Sequence, residues 1–233
     1  VTARFVDWFE AYLARTRERS TTALALVPLV LVYGLGLRFA SPHAQSGVDI
    51  LSGHLLTHLS PTTYVGLQGL IALALIAYAI EYRERMVRDH LRWAAPAILE
   101  ACAWGVMFGG IVLFLMDEAH LLAIGTSPNI VDRTVISAGA GLHEELIFRA
   151  IALPLFSWLL SKAIGVPARN ATIAAIILSA LAFSGAHHLA GEPFDSFVFL
   201  YRLVAGVVFG ALFVWRGFAI TAWTHAAYDF SVL

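Results

Sequence analysis

Charge is what this sequence is shortest of. Of its 233 residues, 13% are charged and 59% are hydrophobic, where a soluble domain is about a quarter charged. The mean hydropathy of +0.77 points the same way. A soluble enzyme is excluded, and the class is integral membrane protein. The net charge of -1 carries no excess of basic residues that would bind a nucleic acid. The single cysteine, Cys102, excludes an internal disulfide and reads as a small packing residue. No internal repeat and no low-complexity tract is visible. The chain begins at Val1 rather than Met, and a processed or trimmed N-terminus is expected.

What is present is a series of apolar runs long enough to span a bilayer, which takes about 20 residues. The candidate spans are 22–40, 62–82, 94–116, 134–160, 170–189, 197–215 and 217–232. The first is too long for a signal-peptide core. The fourth contains Pro154, and a kink there would make eight spans of seven. Ahead of them, residues 1–20 place Phe5, Phe9 and Tyr12 at helical spacing among Arg4, Arg15, Arg17 and Arg19. That pattern predicts an amphipathic helix in the membrane interface. The expected fold is all-α: a polytopic transmembrane bundle over 21–233 with an interfacial helix over 1–20. The spacings Gly105-x-x-x-Gly109 and Gly206-x-x-x-Gly210 suit close helix approach. Arginine crowds the N-terminal segment and the 83–92 loop, which predicts a cytoplasmic N-terminus.

Ionisable residues are nearly absent from the first three spans, Glu100 apart. The later spans hold Glu144, Glu145, Arg149, His187, His188, His225 and Asp229. Each charge at mid-membrane costs about 2.5–3.5 kcal/mol. Such residues persist where they face inward, pair, or do chemistry. Glu145 and Arg149 are four apart and in the favoured order for an ion pair. Glu144 lies about 100° round an α-helix from Glu145 and faces elsewhere. His225 and Asp229 are also four apart, and His188 turns away from His187. His54 and His58 have a metal-ligand spacing, but read as exposed or locally bonded.

Two chemistries fit. Glu144 with His187 can activate a water against an amide carbonyl, with His225 and Asp229 stabilising the oxyanion. Alternatively His187, His225 and a carboxylate, Glu144 or Asp229, hold Zn2+, which activates the water. A proton-coupled transporter or channel also buries such groups, and a non-catalytic membrane scaffold is the third class. The lack of an inverted repeat weighs against transport.

Three motifs carry a resemblance. EELIFR (Glu144 to Arg149) resembles the EExxxR motif of the CPBP intramembrane proteases, the group of the Rce1-type CAAX-prenyl endopeptidases and the bacterial Abi-like proteins. FSGAH (Phe183 to His187) resembles the family's FxxxH, and HAAYD (His225 to Asp229) its HxxxN or HxxxD. The likeness covers about residues 130–233, which it marks as the catalytic core. It implies peptide hydrolysis within the membrane, with Glu144 and His187 activating water, Glu145 bound to Arg149, and His225 and Asp229 at the oxyanion. Asp229 stands where eukaryotic members carry Asn; a carboxylate is a poorer oxyanion donor and a commoner metal ligand. The implied partners are the lipid bilayer and a membrane-associated peptide or protein, prenylated only by analogy. The expected location is a bacterial inner membrane.

Overall fold

The computed structural model describes residues 2–41, 44, 60–83, 86–118, 128–189 and 193–233, so His54 and His58 lie outside the described residues. Within these, every regular element is a helix. They are α1 (Thr2–Arg15), α2 (Arg19–Gly36), α3 (Pro61–Glu81), α4 (Val87–Glu118), α5 (Ile130–Ala163), α6 (Ala168–Leu189), α7 (Ser196–Arg216) and α8 (Phe218–Val232). The six from α2 to α7 are long and apolar enough to cross a membrane. With 15 residues, α8 is shorter than a full span. It packs inside the bundle instead, mainly against α4 and α5.

Leu70, Leu99 and Phe114 face outward, while Ser179, Ser184, Thr221 and Thr224 are buried. A bilayer offers little gain for hiding leucine, so packing and internal hydrogen bonds hold the helices together. Trp223 of α8 donates to the Ala25 carbonyl of α2 at 2.7 Å. Small residues bring α8 close to its neighbours. A Cβ on Gly105 of α4 would collide with the Thr224 carbonyl oxygen, and one on Gly141 of α5 with that of Ala222. Any side chain at either position would push α8 away from the site described below.

The start of α5 is capped by Asn129, whose side chain accepts from Val131 N and Asp132 N. Pro154 neither breaks the helix nor splits it into two spans. Proline lacks an N–H and crowds the preceding turn. Here the helix widens ahead of it, running as a π-helix from Ala140 to Ala152 before resuming as α from Leu153. Leu153 N bonds back five residues to the Phe148 carbonyl, which also accepts from Ser179 of α6 at 2.6 Å. Such widened turns occur disproportionately at functional sites. This one carries Glu144, Glu145 and Arg149.

The bundle has two distinct ends. At one, α1 lies across the start of α4, with Trp8 and Tyr12 against Trp93. Arg17 donates to the Val214 carbonyl near the end of α7. Phe5, Trp8 and Phe9 remain exposed, as an interfacial helix requires. At the other end, Ser41 N, just beyond α2, donates to Asp132 at the start of α5 at 2.7 Å.

Candidate active site

The end away from α1 holds a cavity of about 400 Å³. Four elements line it. The π-helical part of α5 brings Glu144, the last turn of α6 His187, the first turns of α7 Tyr201 and Arg202, and α8 His225 and Asp229. All four residues named from the sequence therefore share one hollow.

Their hydrogen bonds fix which atoms face it. His187 Nδ1 lies 2.9 Å from the Phe183 carbonyl, which can only accept, so Nδ1 carries a proton. Nε2 then points to Glu144 Oε1, 3.9 Å away. His225 Nδ1 donates to Glu145 Oε1 at 2.7 Å. Its Nε2 sits between two carboxylates, 3.7 Å from Glu144 Oε2 and 3.6 Å from Asp229 Oδ2. The His225 ring is clamped by Phe209, stacked at 4.6 Å and 16°. Glu144, Glu145, Arg149, His187 and His225 are all buried.

The ion pair expected from the four-residue spacing forms, with Arg149 Nη1 3.1 Å from Glu145 Oε1. The guanidinium also lies over Phe183 at 4.4 Å, a cation–π contact that partly offsets the loss of water. The same Glu145 oxygen takes the His225 bond, a link the sequence reading lacked. Arg149 thus holds Glu145, which holds His225. His188 is outside this set, its ring stacked on Phe199 at 5.8 Å.

Sequence reasoning also missed Tyr201. Its hydroxyl is buried without a hydrogen-bond partner among the described residues, and its side chain lines the cavity. The signal was available: Tyr201, Ala205 and Phe209 recur every four residues and share a face of α7. Glu100, left without a partner in the sequence reading, has several. It accepts two bonds from Arg216, at 2.9 and 2.6 Å, one from Trp104 at 3.3 Å, and one from Tyr12.

The donor set suits a metal such as Zn2+ in part. Two imidazoles have Nδ1 committed to an acceptor and Nε2 turned inward, the usual outer-shell arrangement. Yet no group of three or more such side chains among the described residues is gathered closely enough to hold an ion.

Buried acids and imidazoles thus converge on one cavity within the helical bundle. Residues 126–231 match the family model of the Rce1-like type II CAAX prenyl endopeptidases. Over these residues the chain is similar to that family, one of membrane-embedded proteases. No curated protein and no solved structure matches the chain.

Proposed function

We propose that the chain is an intramembrane endopeptidase that cuts a membrane-associated polypeptide with a water activated by Glu144 and His187. The observation that carries this is the convergence of Glu144 with His187 Nε2 and His225 Nε2 at 3.7–3.9 Å. Those separations are too long for direct hydrogen bonds and suit a small species held between the groups.

In this reading Glu144 takes a proton from the water while the oxygen bonds to the carbonyl carbon. The resulting oxyanion needs donors. His225 supplies one from Nε2 when doubly protonated, because its Nδ1 proton is committed to Glu145. Asp229 as a carboxylate donates nothing; it braces His225. The Tyr201 hydroxyl is a neutral donor facing the same cavity. As the C–N bond breaks, Glu144 returns its proton to the leaving nitrogen. Were Zn2+ to bind, His187, His225 and one of Glu144 or Asp229 would hold it, and it would polarise the water and carbonyl as a Lewis acid. Metal analysis of the purified protein, with chelator inhibition, separates the two routes.

The test of the base is Glu144→Gln. Cleavage of a membrane-tethered peptide is expected to fall by roughly 10²–10⁴-fold, with the protein still inserted and folded. Full activity refutes the assignment. Tyr201→Phe is expected to lower kcat about 10²-fold with little change in KM, as for the loss of one oxyanion donor. An unchanged kcat removes Tyr201 from the mechanism. A transporter would instead respond to a proton gradient and create no new peptide termini.

A further inference from the structure

The two ends of the bundle differ sharply in charge. Arg15, Arg17 and Arg19 flank the junction of α1 and α2, and Arg88 and Arg92 lie in the first turns of α4. Arg83 follows α3, while Lys162 and Arg169 flank the connection from α5 to α6. The α1 contacts place the starts of α2 and α4 and the end of α7 at one end of the molecule. Since α7 ends there, its start and the end of α6, joined to it by a short connection, lie at the opposite end, so the α5–α6 connection lies at the first end too. The opposite end, which holds the cavity, has only Arg38, Arg133 and Arg202 among the described residues.

Short loops rich in lysine and arginine stay on the cytoplasmic side. We infer that the catalytic cavity opens on the non-cytoplasmic face of the membrane. Its substrate is then a membrane-anchored polypeptide presenting an extended segment from outside. A prenylated tail of a cytosolic protein, the substrate suggested by the family's description, would meet the wrong face. His187 in the last turn of α6, Tyr201 near the start of α7 and Asp229 in the last turn of α8 put the site toward that face. The facing of the cavity follows from charge and topology alone. The statement about substrate rests in addition on the peptidase reading.

The test uses a Cys102→Ala background and two single cysteines. Phe194→Cys lies in the α6–α7 connection at the cavity end, and Ile164→Cys in the α5–α6 connection at the other; both native residues are exposed. Intact cells are treated with a membrane-impermeant maleimide, and both variants must label after permeabilisation. Phe194→Cys is expected to label in intact cells and Ile164→Cys only after permeabilisation. Labelling of Ile164→Cys in intact cells, or failure of Phe194→Cys to label there, overturns the inference. In a second arm one peptide reporter is tethered to a membrane anchor on either face. Cleavage of the outward reporter alone, lost in Glu144→Gln, supports the substrate class; cleavage of the inward reporter overturns it. Cleavage of neither overturns the peptidase reading and the substrate class with it, while the labelling still decides which way the cavity faces.

Discussion

The glutamate–arginine pairs Glu145–Arg149 and Glu100–Arg216 differ in what surrounds the carboxylate. Glu145 and Arg149 are four residues apart on one widened helix and both fully buried. Glu100 and Arg216 are 116 residues apart, and Glu100 is 21% exposed at its side chain. The Glu100 oxygens are fully subscribed by Arg216, Trp104 and Tyr12, so the pair can only tie α1, α4 and α7 together. Glu145 spends Oε1 on Arg149 and His225 and leaves Oε2 buried with no hydrogen-bond partner among the described residues. The same two residue types thus make a strut in one place and the support of a site in the other. What separates them is whether the carboxylate holds a group that faces the cavity.

Breaking the pair at the site is expected to have the larger effect. Arg149→Met leaves Glu145 buried without its cation and held only by His225, which costs about 3–5 kcal/mol. It also unfastens the carboxylate that positions His225, so cleavage should be lost together with thermal stability in detergent. A melting temperature equal to that of the wild type would put the two pairs on the same footing.

The corresponding change at the strut is smaller. Arg216→Met leaves Glu100 partly exposed and still bonded to Tyr12 and Trp104. The expected loss is roughly 1–3 kcal/mol, between the values for exposed and buried pairs. Cleavage per folded molecule should stay at the wild-type level, because Arg216 is at the end away from the cavity. A selective loss of kcat without loss of stability would show the strut coupled to the chemistry.

These two pairs also mark how far the sequence could be read. Glu145 with Arg149, and His225 with Asp229, were legible because helix geometry turns a four-residue spacing into a shared face. The convergence of three helices on Glu144 was expected from the cost of stranding charges in lipid. The bond from His225 to Glu145 was not legible, since it depends on α8 lying against Gly141, and on a π-helical stretch that no α-helical angle describes. Arg216 could not be assigned to Glu100, because no local rule joins residues 116 apart. Pro154 pointed to a kink, and the chain relieved the crowding by widening the helix instead.

Tyr12→Phe sharpens the comparison at its weakest point. It removes one hydrogen bond from Glu100 and leaves Arg216 and Trp104 in place. The expected loss is about 1 kcal/mol, read as the smallest shift in melting temperature of the three variants. Its pH dependence identifies the bond. Burial, with the Glu100 carboxylate beside it, pushes the Tyr12 phenol above its ordinary value. A group raised in the folded state contributes fully below its unfolded value, about 10 for tyrosine. The contribution is lost as the pH climbs toward the folded value. Wild type and Tyr12→Phe should therefore differ by a constant amount up to about pH 10 and converge above it. A gap that persists unchanged into strong alkali would mean that Tyr12 stabilises α1 through its ring against Trp93 rather than through its hydroxyl.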